Sequence, residues 1–392
     1  MLPNSPIGAT DVFARLPDQG EPKPPYFLKA DDIFARQDGR ELYIKKIYST
    51  SHAIRRRGNV VLAPGLATNA NIFRIDDLGG FLRMDHKRSM ANLLAAEGFT
   101  VYLYHPGYTE RVHNRYVYQH CKQSLYYHRR YKAPADLTFT QLVEEEVPLL
   151  LDTIEKDSGE PVLSWVGYSL GGMLVYAHLA ANPDCSIKNV VTIGSPVTLH
   201  QLFIRVIPYT NMSARALGME ETAVLGTISQ NFVPLTRLIR KMPSGILRYN
   251  PFTFFLWNPM NISGKVVKLL LGKIVEPIPH SLESSFAAMI AQGIDCEIYG
   301  PALIRSIAPE KRATTNFLFF FGQNDLIAPP DSVLLSQGIL CSRDMDNIIG
   351  VPGAGHVDLI IGRNSYERVW KPTARFLMEK TQARPRLHRL TA

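Results

Sequence analysis

The chain has 392 residues, of which 46% are hydrophobic and 20% are charged, so it can bury a full core and is not generally disordered. Lys and Arg outnumber Asp and Glu by 43 to 35, and the formal net charge of +8 suits an ordinary basic cytoplasmic protein first and a binder of anionic surfaces second. The sequence has no run of 18 apolar residues, no signal-peptide pattern and no CxxC pair, which argues against a membrane span, secretion and a zinc or disulfide framework. We expect a cytoplasmic protein, and membrane association is the alternative.

Short apolar runs alternate with helix-like stretches along most of the chain. Two runs on either side of Asp38-Gly39 predict an early hairpin, because Asp-Gly favours tight turns. Apolar residues recur at helical spacing over residues 140–156 and 173–181. Further strands are predicted over 59–63, 99–104, 162–166, 190–193, 317–321 and 347–351. The alternation predicts an α/β fold with a mostly parallel sheet flanked by helices.

Composition divides the chain into a core and three other segments. Residues 1–25 contain six prolines and predict an extended N-terminal arm. Residues 26–196 and 301–380 carry the alternation of strands and helices and predict the α/β core. Residues 197–300 are rich in Pro, Met, Phe and basic residues, and helices are predicted there over 199–207, 214–219, 227–241, 264–274 and 282–292. This segment predicts a mainly helical cap over the carboxyl edge of the sheet, where open α/β sheets bind ligands. Residues 381–392 predict a basic C-terminal tail.

The strongest motif is Gly167-Tyr168-Ser169-Leu170-Gly171, which matches G-x-S-x-G. It directly follows an apolar strand and directly precedes a helix, as the motif requires when its serine is a nucleophile on a tight turn. The alternative is a plain glycine-rich turn, which the strand and helix on either side make less favourable. The pattern therefore predicts Ser169 as a catalytic nucleophile.

A serine hydroxyl needs a base, and the base needs an acid to orient it. Asp325 follows the apolar strand 317–321, and His356 lies on a glycine-flanked loop after the strand ending at Val351. The order Ser, Asp, His is the one expected for this arrangement of strands. Taken alone, Asp325 could be a turn or capping residue, and His356 an ordinary loop histidine. A rival acid position after the next strand holds Gly194-Ser195-Pro196, which has no carboxylate.

Acyl transfer also needs two donors for the oxygen that becomes negative in the tetrahedral intermediate. One predicted donor is the backbone N–H of Leu170, at the start of the helix after the serine. The other comes from the loop Pro64-Gly65-Leu66-Ala67 that follows the strand 59–63. We nominate the N–H of Leu66, with Ala67 as the alternative one residue later.

These motifs together resemble the α/β-hydrolase superfamily over about residues 40–380. The resemblance rests on VVLAPGL (60–66), GYSLGG (167–172), FFFGQNDLIAPP (319–330) and GAGHVDL (353–359). It implies a serine hydrolase with Ser169, Asp325 and His356 as the catalytic triad.

Two branches of the superfamily are most similar. LTFTQLVEEEVPLLLDTI (137–154) resembles the segment before the nucleophile in acid lipases. APGLATNANIFRID (63–76) and the helical insert resemble polyhydroxyalkanoate synthases and related lipase-like proteins. Those synthases use a cysteine nucleophile and transfer hydroxyacyl groups from coenzyme A. The serine at position 169 favours hydrolysis instead.

We therefore expect an enzyme that hydrolyses carboxylic esters of hydrophobic, lipid-like substrates through an acyl-enzyme, as part of lipid metabolism. No cofactor and no metal are needed, and no nucleic acid is expected as a partner. Two alternatives remain open: an acyltransferase or synthase-like protein that uses Ser in place of Cys, and a non-catalytic binding protein on a hydrolase scaffold. The apolar and basic faces of the cap either pack on the core or touch a lipid surface.

Two weaker patterns have two interpretations each. Histidines at positions 105, 113, 120 and 128 could form a metal or nucleic-acid surface, but a basic loop and helix near the pocket is favoured. The aromatic side chains Phe252, Phe254, Phe255 and Trp257 could line a pocket, although buried aromatics usually belong to the core.

Overall fold

The computed structural model describes residues 27–37, 40–76, 80–81, 88–120, 131–199, 242–249, 255–341 and 347–382. The strands in these ranges are β1 (Leu28–Gln37), β2 (Arg40–Ser49), β3 (Gly58–Ala63), β4 (Phe99–His105), β5 (Val162–Tyr168), β6 (Asn189–Ile193), β7 (Asn316–Gly322) and β8 (Ile348–Val351). They form one sheet in the order β1-β2-β4-β3-β5-β6-β7-β8.

Most of the sheet is parallel. β1 pairs antiparallel with β2, with Gln37 opposite Arg40, so the predicted early hairpin is confirmed. β2 is antiparallel to β4, and every later pairing from β4 through β3 to β8 is parallel. The predicted α/β class with a mostly parallel sheet flanked by helices is therefore confirmed.

Helices connect the parallel strands. The α-helices are α1 (Met90–Ala96), α2 (Glu110–His120), α3 (Phe139–Gln141), α4 (Val147–Ser158), α5 (Leu170–Ala181), α6 (Ser244–Leu247), α7 (Gly264–Leu269), α8 (His280–Gln292), α9 (Pro301–Arg305), α10 (Pro309–Thr314), α11 (Pro330–Leu340), α12 (Asp358–Ile361) and α13 (Lys371–Gln382). Three π-helical segments join or extend them: Leu142–Glu146 links α3 to α4, Leu270–Ile274 follows α7, and Tyr366–Trp370 leads into α13. Short 3-10 turns cover Ala70–Arg74 and Gly293–Asp295. None of the helices in the described ranges is long and apolar enough to cross a bilayer.

Both faces of the sheet are covered by apolar side chains. Because side chains alternate along a strand, Val61 and Ala63 of β3 join one core cluster while Val60 and Leu62 join the other. The first cluster also holds α4, α5 and α11 residues, and the second holds α1, α12 and α13 residues. Burial on both faces explains why the central strands are nearly continuous apolar runs.

The described part of the segment 197–300 is helical around short loops. The predicted helices over 264–274 and 282–292 correspond to α7 with its π-helical extension and to α8. The helices predicted between residues 199 and 241 fall outside the described residues beyond Leu199, as do the arm 1–25 and the tail after residue 382.

Candidate active site

Ser169 stands on a strained turn between β5 and α5. Its φ of 52° and ψ of −114° lie in a region that residues other than glycine rarely adopt. Its backbone N–H donates to the carbonyl oxygen of Ile193 at 2.9 Å, which ties the turn to the end of β6. Such strain persists only where the surrounding structure enforces it, and it presents the serine at the carboxyl edge of the sheet.

The glycines of the motif allow this close packing. A Cβ on Gly171 would overlap the backbone carbonyl of Ala63 at the end of β3. A Cβ on Gly167 would overlap the backbone of Gly171 and Gly172 on the first turn of α5. The first turn of α5 can therefore lie this close to β3 and β5 only with glycine at these positions.

The three predicted catalytic side chains lie in one hydrogen-bonded line. Nε2 of His356 is 2.9 Å from Oγ of Ser169, and Nδ1 of His356 is 2.8 Å from Oδ2 of Asp325. The Asp325 side chain is completely buried and the His356 side chain is 6% exposed, while residue Ser169 is 9% exposed. The exposed fraction is thus smallest at the aspartate and largest at the serine.

The second carboxylate oxygen of Asp325, Oδ1, stabilises the turn that follows this residue. Oδ1 accepts the backbone N–H groups of Ile327 and Ala328, each at 2.8 Å. The capping interpretation of this aspartate is thus compatible with its contact to His356, because different oxygens serve the two contacts. The rival acid position is close by, since a Cβ on Gly194 would lie 3.3 Å from Oδ2 of Asp325.

The loop after β3 passes beside the serine. A Cβ on Gly65 would lie 3.2 Å from Cβ of Ser169, which brings the Gly65–Leu66 peptide next to the candidate nucleophile. Ala67 has a φ of 56°, so the loop makes a sharp left-handed turn directly after Leu66. Within the described ranges, the N–H groups of Leu66 and Leu170 donate no hydrogen bond.

Sequence reasoning missed three buried residues that support the site. The hydroxyl of Tyr108 donates to the carbonyl of Gly65 at 3.0 Å. The backbone N–H of Glu276 donates to the carbonyl of Ala67 at 2.8 Å, and its carboxylate accepts three hydrogen bonds. Asp358 accepts the Gly355 N–H, one residue before His356, at 2.9 Å.

The histidine-rich region forms a buried polar cluster behind the loop after β3. His105 and His113 are fully buried, and burial lowers the pKa of His105 well below its usual value and that of His113 to about 4. Both rings are therefore neutral at pH 7. The side chain of His120 and the whole of His128 lie outside the described part. In that part, no three His, Cys, Asp or Glu side chains come together as a metal site.

Of the aromatic pocket candidates, Trp257 belongs to the core. Its side chain is buried in the second core cluster, and its indole N–H donates to the carbonyl of Arg248 at 2.9 Å. Phe255 is partly buried, and Phe252 and Phe254 fall outside the described residues.

Comparison with known proteins identifies the architecture. No protein-family model and no curated protein sequence matches this chain. A candidate lipase from Sulfolobus solfataricus superposes with a TM-score of 0.53 at 15% identity, covering 90% of this chain and 95% of its own. A serine hydrolase from Cycloclasticus zankles superposes with a TM-score of 0.50 at 13% identity, covering 90% of this chain and 99% of its own. A peroxisomal α/β-hydrolase from Saccharomyces cerevisiae superposes with a TM-score of 0.50 at 13% identity, covering 91% of this chain and 90% of its own. Sequence identities this low establish the fold alone.

Proposed function

We propose that this chain, which has the α/β-hydrolase fold that its motifs predicted, is a serine hydrolase that cleaves carboxylic esters with a hydrophobic acyl or alcohol part. The observation that carries this proposal is the line from Ser169 Oγ through both ring nitrogens of His356 to Asp325, with contacts of 2.9 and 2.8 Å. A binding protein would have no need of an oriented base beside a strained serine.

The proposed reaction uses this chain's own groups. His356 removes the Ser169 proton as the oxygen attacks the ester carbonyl, and the carboxylate of Asp325 stabilises the imidazolium. The N–H groups of Leu66 and Leu170 donate to the tetrahedral oxyanion. His356 then protonates the leaving alcohol, which leaves an acyl group on Ser169. Water attacks this acyl-enzyme with His356 again as base, and the acid product and free serine result.

The charge and the exposed side chains of the segment 197–300 favour a lipid-like substrate and contact with an anionic lipid surface. Seven Lys or Arg residues and no acidic residue lie between Glu221 and Glu276. Ile246 is 56% exposed and Met260 is 66% exposed, and the Tyr249 hydroxyl lies 3.8 Å from the Met260 sulfur. Exposed apolar side chains among cationic ones are typical of proteins that bind a membrane interface.

Vesicle sedimentation tests this partner. We expect the catalytically inactive Ser169→Ala protein to bind phosphatidylglycerol vesicles more strongly than phosphatidylcholine vesicles. The double variant Ile246→Asp/Met260→Asp should lose that binding, whereas Leu334→Asp, at another exposed apolar side chain on α11, should keep it. Equal binding by the two aspartate variants would exclude this surface as the contact.

The catalytic proposal is tested with p-nitrophenyl esters and a fluorophosphonate probe. Ser169→Ala should lose turnover by several orders of magnitude, on the order of 10⁶-fold if chemistry is limiting, and should not react with the probe. Ser195→Ala is the matched control, because the Ser195 hydroxyl is buried and has no hydrogen-bond partner among the described residues. Wild-type rates in Ser169→Ala would refute the mechanism, and failure of wild type to react with the probe would favour the binding-protein alternative. Ester products formed with added alcohol would identify an acyltransferase.

A further inference from the structure

The orientation of the Leu66 N–H depends on what holds the carbonyl of Gly65. The two groups belong to one peptide, which is planar and trans, so the N–H points opposite to the carbonyl. The Gly65 oxygen accepts from Thr68 Oγ1 at 2.8 Å, from Thr68 N at 3.3 Å and from the Tyr108 hydroxyl at 3.0 Å. Fixing that oxygen therefore fixes the direction of the donor on the next residue.

Among these donors, Tyr108 alone lies outside the loop. Thr68 is three residues from Gly65 and moves with it, whereas Tyr108 follows β4 and is completely buried. Its ring packs in the first core cluster, and this packing fixes the position of the hydroxyl. The hydroxyl also lies 3.3 Å from the carbonyl oxygen of Thr68, so its single hydrogen is shared between two carbonyls of the same loop. Tyr108 therefore anchors this loop, including the Gly65–Leu66 peptide, to the core.

The other end of the loop is fixed by Glu276, which is 1% exposed. Its N–H donates to the Ala67 carbonyl at 2.8 Å, directly after the candidate donor. Its carboxylate accepts from Asn69 Nδ2 at 2.7 Å and from the N–H groups of Arg111 and Val112 at 2.8 and 3.1 Å. The loop is therefore bound both to the insert and to the first turn of α2.

We propose that Tyr108 is a positioning residue for oxyanion stabilisation, with Glu276 holding the far side of the same loop. This inference rests on the proposed serine-hydrolase function. The Tyr108 hydroxyl orients the Gly65–Leu66 peptide so that the Leu66 N–H meets the tetrahedral oxygen. Without it, the peptide can rotate, and the donor stabilises the transition state less than before while ground-state binding is unchanged.

Tyr108→Phe tests this with the removal of one oxygen atom. We expect kcat on a p-nitrophenyl ester to fall about tenfold with KM unchanged, because the donor is misaligned and not removed. The inhibition constant of a trifluoromethyl ketone, whose adduct with serine carries an oxyanion, should rise by the same factor. Tyr299→Phe is the matched control, because the buried Tyr299 hydroxyl also donates to a backbone carbonyl, that of Pro196, at 2.8 Å. Rates are expressed per active site, counted by complete fluorophosphonate labelling.

The outcomes separate this inference from the function on which it rests. A wild-type protein that neither turns over esters nor reacts at Ser169 contradicts the proposed function itself. If the wild type is active and the kcat of Tyr108→Phe stays within twofold of it, the positioning role is overturned. The role is also overturned if Tyr299→Phe loses as much kcat as Tyr108→Phe does. If Tyr108→Phe does not fold, Glu276→Gln is measured the same way, and it should lower kcat while KM stays constant. An unchanged kcat there overturns the proposal.

Discussion

Asp325 meets His356 through a hydrogen bond of 2.8 Å between Oδ2 and Nδ1, while Oδ1 of the same carboxylate accepts two backbone N–H groups. The two N–H groups fix the plane of the carboxylate. Oδ2 then faces the ring and can only accept, so Nδ1 must carry the hydrogen. That tautomer leaves Nε2 as an acceptor for the Ser169 proton, as a general base requires.

Asp325→Asn should reverse this tautomer without disturbing the fold. The amide oxygen can replace Oδ1 and keep both backbone contacts, which leaves the amide NH₂ facing Nδ1. Nδ1 must then accept, Nε2 carries the hydrogen, and the serine has no base, so kcat should fall about 10⁴-fold. Ester hydrolysis measures the expected loss of kcat, and thermal unfolding checks that the fold is undisturbed. Asp331→Asn, on the first turn of α11, is the control that should keep full activity.

Asp358 should be required to hold the His356 loop. Its carboxylate accepts from Gly355 N, Asn258 N and Asn261 Nδ2 at 2.9, 3.1 and 2.6 Å. Asp358→Ala leaves these donors unpaired, so we expect the free energy of unfolding to fall by about 3 kcal/mol. We also expect kcat to fall about 10²-fold, because the imidazole loses its position relative to the serine. Guanidinium unfolding and steady-state kinetics measure the two effects.

Asp358→Asn is the informative comparison for that variant. The Asn261 amide oxygen is buried without a hydrogen-bond partner among the described residues. A rotated Asn261 amide could present this oxygen to the new NH₂ group, so the asparagine variant should lose much less stability and activity than the alanine variant. Equal losses in the two variants would show that the loop depends on the charge of Asp358 rather than on its hydrogen bonds.

The three proposed catalytic side chains were predictable because each follows a strand. Ser169, Asp325 and His356 come just after β5, β7 and β8, and parallel strands bring their carboxyl ends to one edge. Tyr108 also follows a strand, β4, but it belongs to no motif, and no sequence pattern indicates its contact with Gly65 or the contact of Glu276 with Ala67. Glu276 meets Asn69 across 207 positions, which neither periodicity nor a motif encodes.

Replacing glycine by alanine should have opposite effects at Gly171 and at Gly338, because a Cβ meets backbone at the first position and open space at the second. Gly171→Ala places a methyl group on the carbonyl of Ala63, which is backbone and cannot move without shifting β3. It should cost about 3 kcal/mol or more of the free energy of unfolding. Gly338→Ala, exposed on α11 with nothing near its Cβ position, should stabilise by about 0.5–1 kcal/mol. Denaturant unfolding of both proteins measures this, and a stable Gly171→Ala would mean that the helix and β3 are less closely packed.

Glu146 makes stability depend on pH. It is fully buried, and its Oε2 accepts from the Tyr104 hydroxyl at 2.6 Å and from Gly107 N at 3.0 Å. Its Oε1 has no hydrogen-bond partner among the described residues. Burial raises the pKa of Glu146 from 4.5 to about 7, against the lowering effects of Tyr104, Gly107 and Arg40. Between these two values the folded protein keeps a proton that the unfolded chain has released, so stability falls as the pH rises.

Glu146→Gln should remove this dependence. Its amide oxygen can accept both Oε2 contacts, and the side chain is neutral at every pH, as the protonated glutamate is. The free energy of unfolding of Glu146→Gln minus that of wild type should therefore increase by about 3 kcal/mol between pH 4.5 and pH 8, with most of the change complete by pH 7. Urea unfolding of both proteins in the same buffers isolates the effect, because every other titrating group cancels in the difference. A difference that stays constant with pH would mean that Glu146 ionises as easily in the folded protein as in the unfolded chain, with water or another group reaching Oε1.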